Sequence, residues 1–292
     1  MSYSIPCRTI FCATGTRVPG PRTDDLELTN PTFPRDTLIT PMIIMVENGV
    51  PISTMVDVGA ADGTFGLTVL DAINAGIHLI NIDAQDVYES SLRRIAGVLG
   101  GNYFISAVGD HDGTISVRKP AHEYWLSTAT HMGAGGSGPD MITLPCRQLD
   151  GMLREANAKG PIFIKLDVEG AELDVLRGAE DTLKETCGLL IESPVRSSGG
   201  PQFIDIYGFL AARGFSLFDI VRLSHRGSDA TLYQFYSVFI ANRFDFRGRN
   251  PLRSATQQVE VTQAVTERRA ALLEESTRLI SSIKLKRAMA QS

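Results

Sequence analysis

From residue 53 onward, short apolar runs alternate with stretches in which apolar residues recur every three to four positions. The short runs predict strands at Thr54–Val58, Ile77–Asp83, Tyr103–Val108, Ile162–Asp167, Gly188–Glu192, Phe215–Ile220 and Tyr236–Ala241. Runs of this kind, apolar on both faces, are how strands of a covered parallel sheet read. Between them the helical period predicts Phe65–Ala75, Val87–Leu99 and Leu173–Leu183, the last with Leu173, Leu176, Ala179 and Leu183 on one face. This is a βαβ alternation, and right-handed crossovers place its helices on both faces of the sheet.

Elsewhere the pattern departs from that rhythm. The turn residues Gly109-Asp110-His111-Asp112-Gly113-Thr114 lead into Ile115-Ser116-Val117, which predicts a hairpin extending the third strand. Gly133-Ala134-Gly135-Gly136-Ser137-Gly138 reads as a solvated connection, with a substrate lid as the next alternative. Prolines at 6, 19, 21, 31, 34 and 41 make the start an irregular arm, giving an expected division into an arm over 1–50, an α/β domain over 51–250 and a tail over 251–292. In the tail, Val261, Val265, Leu272, Leu279 and Ile283 share one helical face. Such a stripe needs a cover, either the same chain or a second copy, so homo-oligomerisation through this helix is an expectation. Contact with an anionic membrane through its basic residues is the less favoured reading.

Composition changes this picture little. Of 292 residues, 43% are hydrophobic and 21% charged, which is ordinary for a folded protein. The formal net charge of -5 argues against a dedicated nucleic-acid partner, which would call for a basic surface. No apolar run approaches the roughly 20 residues that span a bilayer, and the start lacks the regions of a signal peptide, so a cytoplasmic location is expected. Cys7, Cys12, Cys146 and Cys187 are too scattered for a zinc site and read as reduced thiols, with Cys187 in the core.

Chemistry is to be sought beyond the carboxyl ends of the strands, where open α/β sheets bind ligands. The first strand ends in Asp57-Val58-Gly59-Ala60-Ala61-Asp62-Gly63, whose glycines let backbone approach a ligand. This is not the dinucleotide glycine pattern. Carboxylates beside the turn suit a cofactor with an amino group and a sulfonium better than a pyrophosphate. Asp83 closes the second strand at the position where an acid accepts hydrogen bonds from ribose hydroxyls; a strand-end or helix-capping role is the alternative. In the third strand, Ser106 and Ala107 are small enough to border a flat ring. Lys165, Asp167 and Glu169 end the fourth strand and would share a side if it continued, and Glu192 ends the fifth. Charged groups at a buried sheet end are expensive unless paired or used. An ion pair of Lys165 with a glutamate, and helix capping by the acids, is the structural alternative.

The run Ile164-Lys165-Leu166-Asp167-Val168-Glu169-Gly170-Ala171-Glu172-Leu173-Asp174-Val175-Leu176-Arg177-Gly178-Ala179 resembles the signature of FkbM-type methyltransferases, and Asp57-Val58-Gly59-Ala60 resembles their first cofactor motif. The resemblance covers roughly residues 53–245. It implies an α/β fold with a seven-stranded, Rossmann-like class I methyltransferase sheet and S-adenosyl-L-methionine as methyl donor. It further implies O-methylation of a hydroxyl on a sugar, glycan or natural product as the usual activity. Where the family has Glu-Pro after the second strand, this chain has Asp83-Ala84, so the loop there departs from the pattern.

Methyl transfer is an in-line displacement, so alignment of acceptor, methyl and sulfur dominates. On this reading Asp57, Gly59, Ala60, Asp62 and Gly63 form the cofactor turn, Asp83 takes the ribose, and Ser106 and Ala107 flank the adenine. Asp167 serves the cofactor's amino group or the acceptor, and Lys165, Glu169 and Glu192 orient the acceptor. Asp167, Glu169 and Glu192 are the candidate bases, with His131 and His225 as loop alternatives. No resident metal is expected, although paired carboxylates offer a divalent ion an alternative place. A nucleoside-binding assembly module without turnover, an N-methyltransferase and a nicotinamide oxidoreductase are the rival readings.

Overall fold

Strand β1, Thr54–Val58, is buried at every position, as is β7, Ile162–Leu166, with which it pairs in parallel. The computed structural model describes residues 37–74, 76–118, 141–196 and 200–248, with Thr277, Arg278, Ile280 and Ser281. The sheet lies in a compact unit, Phe33–Gly248; the last four residues are helical and belong to the other unit. The expected glycine-rich loop at 133–138 and most of the tail stripe lie outside the described residues.

On one side of β1 lies β2, His78–Asp83, followed by β3, Asn102–Ile105, both parallel to it. On the other side, beyond β7, comes β8, Thr186–Pro194, also parallel. The long antiparallel pair β10, Leu232–Ala241, and β9, Phe215–His225, completes the order β3-β2-β1-β7-β8-β10-β9. This is the expected seven-stranded α/β sheet.

Strand alternation splits the core into two layers. Val56, Val58, Ile164, Leu166, Leu189 and Ile191 face one way. They pack with α4 (Leu149–Glu155), α5 (Glu172–Arg177), α6 (Glu180–Glu185) and α7 (Phe203–Ala211). Met55, Leu79, Phe163, Leu190, Val238 and Ile240 face the other way, toward α1 (Thr40–Glu47), α2 (Thr64–Ala72) and α3 (Glu89–Leu99). Buried Met42 and Met45 of α1 join this second layer, so the chain is already helical and packed before β1.

Three local expectations are corrected. The third strand does not run through to Val108: it stops at Ile105, and β4, Ala107–Val108, belongs to a separate three-stranded sheet. Buried Ser106 marks the break, its hydroxyl donating to the Ala107 carbonyl at 2.8 Å with that of Pro145 at 3.2 Å. The hairpin after it does not extend the third strand either. The strand β5, Gly113–Arg118, pairs antiparallel with β6, Met141–Arg147, and β6 pairs in parallel with β4. Last, the helix expected over Leu173–Leu183 is two helices, α5 and α6. The intervening Gly178 allows a close approach, since a Cβ there would stand 2.0 Å from the Gly109 carbonyl oxygen.

Candidate active site

The alternation that builds the two layers also aims the site residues. Asp57 and Lys165 are direct register partners on β1 and β7, and both lie on the side of Met55 and Phe163. Glu192 on β8 and Tyr236 on β10 are likewise register partners. Two residues from Leu190 and from Val238, they face that same side. A line of polar groups therefore crosses the carboxyl end of the parallel strands.

Lys165 is the hinge of this line. Its ammonium donates to the Gly59 carbonyl at 3.0 Å and lies 3.1 Å from Asp57 and 3.3 Å from Asp167. It is 5% exposed, and its partners are carboxylates of aspartates rather than a glutamate. Burial acts to lower it, but Asp57 and Asp167 outweigh burial and hold it above its ordinary value. Burial pushes Asp57 upward despite Lys165, which alone would favour a neutral acid. The close contact with a cation that has two further acceptors favours the charged pair. Lys165 thus ties the turn after β1 to the end of β7, behind the rim rather than on it.

The turn itself is tight. Gly59 has φ 75°, and a Cβ there would stand 1.9 Å from the Asp167 carbonyl oxygen, so only glycine lets these two strand ends close up. Ala60 is buried, and exposed Asp62 caps α2 by accepting from the Thr64 amide at 3.0 Å, with Gly63 as the N-cap residue. Asp83 is 6% exposed. One of its oxygens accepts from the Ala61 amide at 2.8 Å and the other from the Gln85 amide at 2.9 Å. Burial raises its carboxyl, and these two amides oppose the rise. Asp83 therefore fixes the shape of the turn, and each oxygen keeps a lone pair for a further donor. Ser106 and Ala107 are both buried at the neighbouring strand break.

The acids at the other side are less well supplied. Strand β7 ends at Leu166, so Asp167 and Glu169 do not line up by alternation. Instead Glu169 adopts φ 55° and Gly170 φ 104°, folding the chain back. Oxygens of Asp167, Glu169 and Glu192 then all lie within 4.8 Å of one another, a spacing at which like charges cannot all be held without a cation or a shared proton. Asp167 receives the Tyr236 hydroxyl at 2.9 Å. Glu192 is 8% exposed and, among the described residues, receives only the neutral side-chain amide of Gln234. Burial, then the charges of Asp167, Glu169 and Glu172, lift its carboxyl to about 8. Glu169 is exposed at its surface, yet its protein surroundings and Asp167 and Glu172 raise it too. Buried Glu172 turns back to accept from the Gly170 amide at 3.1 Å and closes the loop.

A family profile described as the methyltransferase FkbM domain matches residues 57–217, more than half of the chain. The chain belongs to the FkbM methyltransferase family. Its cofactor is S-adenosylmethionine. No curated protein matches the sequence.

Among solved structures, similarity extends to the methyltransferase FkbM from Methylobacillus flagellatus KT, at 19% identity and a TM-score of 0.41, covering 64% of this chain and 43% of that one. The chain thus spans less than half the length of that protein. Others are a SAM-dependent methyltransferase from Aquifex aeolicus, at 15% identity, TM-score 0.34 and coverage of 70% and 90%, and M. capricolum TrmK in complex with S-adenosylhomocysteine, at 7%, 0.38 and 68% of each chain.

The described residues fit the cofactor this methyltransferase family implies. Asp57, Asp83, Asp167 and Glu192 all interact with one cation, Lys165, and Glu169 and Glu172 add further negative charge beside Asp167; a sulfonium with an ammonium offsets such an excess. Two residues escaped the sequence reading, Gln234 and Tyr236. The signal lay in their spacing: the start of an antiparallel last strand falls at the carboxyl end of its parallel neighbours, and residues two apart share a face. His225 ends β9 on an exposed stretch, and His131 lies outside the described residues. Cys187 is buried, its thiol pushed up to about 12 by burial. Among the described residues, no helix is long and apolar enough to cross a membrane.

Proposed function

We propose that this methyltransferase transfers a methyl group to a hydroxyl of a small-molecule or glycan acceptor, with Glu192 as the general base. The observation that carries this reading is Glu192 itself, a buried carboxyl at the rim lifted to about 8 by burial and by its acidic neighbours. A base poised near working pH couples availability to driving force, and an alcohol needs its proton removed as the new bond forms. When bound, S-adenosylmethionine supplies an electrophilic methyl group on a sulfonium sulfur.

The protein's own groups do the rest. The backbone at Gly59, Ala60 and Gly63 lets the nucleoside side of the donor approach, and Asp83 accepts from the ribose hydroxyls. Ser106 and Ala107 leave room for the adenine. Asp167, fixed by Lys165 and Tyr236, accepts from the donor's amino group. Glu169 and Glu192 orient the acceptor, and Glu192 takes its proton. Asp57 and Lys165 hold the turn and Asp167 in register without touching either substrate.

Methyl-labelled S-adenosylmethionine incubated with the protein and the small-molecule fraction of a cell extract tests this reading. Label recovered on an oxygen, located by NMR of the product and lost with Glu192→Gln, supports it. Label on nitrogen overturns the hydroxyl assignment, and tight donor binding without any transfer favours a nucleoside-binding module instead.

A further inference from the structure

Asp167 follows the end of β7 and Glu192 lies near the end of the adjacent parallel strand β8, and their side-chain partners come from elsewhere. Tyr236 reaches across β8 to donate its hydroxyl to Asp167 at 2.9 Å, and Gln234 donates its amide to Glu192. These two residues lie two apart on β10, so they share one face, and both stand beyond residue 217, where the family match ends. Their identities suit the task. A glutamine amide cannot titrate, and the Tyr236 hydroxyl is pushed well above its ordinary value by burial, then by Asp167 and Glu192, so it remains a donor.

The two acids are consequently engaged in different ways. Asp167 has a cation and a hydroxyl; Glu192 has one neutral amide. Around Glu192 stand Asp167, Glu169 and Glu172 as like charges and Lys165 as the opposing one, with Tyr236 as its strand partner. Among the described residues the Gln234 amide is the one hydrogen-bond donor to the Glu192 carboxyl, so the occupant of position 234 governs both where that carboxyl points and how readily it holds a proton.

We propose that Gln234 and Tyr236 are a pair of positioning residues on β10 that divide the labour of the two carboxylates, Tyr236 fixing Asp167 as a donor-side contact and Gln234 holding Glu192 on the acceptor side. The division of roles rests on the reading of Glu192 as base given above. The C-terminal hairpin is then part of the reaction centre, and acceptor-side tuning lies outside the segment that defines the family.

The test uses the full-length protein with isotopically labelled glutamate carboxyl carbons, the Glu192 resonance being the one lost in Glu192→Gln. Gln234→Met, of similar shape, removes the amide and is expected to raise the Glu192 titration midpoint by about half to one unit, whereas Gln234→Lys lowers it by a similar amount. Tyr236→Phe is expected to leave that midpoint within about 0.3 units while weakening S-adenosylhomocysteine binding about three- to tenfold, an indirect loss through Asp167 in the range of one ordinary intramolecular hydrogen bond. Opposite signs at position 234, with the affinity loss confined to position 236, establish the division. Equal effects of Gln234→Met and Gln234→Lys, or an affinity loss shared by all three variants, overturn it. A wild-type Glu192 midpoint in the ordinary carboxylate range sinks the base assignment instead. The Tyr236→Phe affinity loss still reports on the Asp167 contact in that case.

Discussion

The two halves of the cleft are built on opposite principles. At the β1–β2 end, each oxygen of Asp83 is already met by a backbone amide, and Asp57 faces an ammonium. That half is a finished mould. At the β7–β8 end, Asp167, Glu169 and Glu192 crowd within 4.8 Å with Tyr236, Gln234 and one face of Lys165 as their donors. This half is incomplete in charge until something enters. Donor recognition can be rigid, because the donor never changes, whereas the reacting side must hold a group ready to change its protonation state.

The comparison is broken most severely by removing the base. Glu192→Gln should lower methyl transfer by about 10²–10⁴-fold while leaving S-adenosylhomocysteine affinity within about threefold, so equal losses in both would erase the distinction between the halves. Lys165→Met strips the cation from two carboxylates, one of them fully buried. Loss of one partner from a buried pair costs about 3–5 kcal/mol, so urea unfolding should show the unfolding free energy lowered by about that amount, read from the midpoint and slope together; a near-neutral effect would mean that Asp57 is protonated. Asp83→Ala removes the acceptor of two backbone amides and the proposed ribose contact, and calorimetry should find the cofactor product bound about tenfold more weakly, near 1.4 kcal/mol. Unchanged affinity would return Asp83 to a capping role alone.

The last effect sharpens the comparison through pH. Glu192 is raised in the folded state, so the protein binds more protons folded than unfolded between about 4.5 and 8. Stability from this group is therefore full below its unfolded value and is lost as pH rises through about 8. Glu192→Gln should therefore stabilise the protein more at pH 8.5 than at pH 5. A thermal shift of equal size at both pH values would contradict the raised carboxyl.

Legibility in the sequence followed the same divide. The glycine turn, Asp83 and the seven strands were readable because apolar runs and strand-end chemistry are local signals, and β1 matches its expected bounds, Thr54–Val58, residue for residue. What depends on distant partners was not. The strand β6 follows a stretch without periodicity and pairs with both β4 and β5, so a hairpin looked sufficient. Helix α1 hid among prolines, although Pro41 sits at a first-turn position where proline is tolerated. Lys165 looked like a rim residue because nothing local reveals that Gly59, over a hundred positions away, brings its carbonyl within 3.0 Å. Gln234 and Tyr236 were missed for a related reason: the strand spacing marks their place at the sheet end, but their targets, Glu192 and Asp167, are carried by distant segments.

Calorimetry with S-adenosylhomocysteine, run in parallel on the wild type, Gly59→Val and Glu192→Gln, tests the central claim most directly. The account predicts binding by the wild type, retention in Glu192→Gln and loss of at least about tenfold in Gly59→Val, where a side chain would enter the 1.9 Å approach to the Asp167 carbonyl. No heat with the wild type, or loss in Glu192→Gln with retention in Gly59→Val, would contradict it.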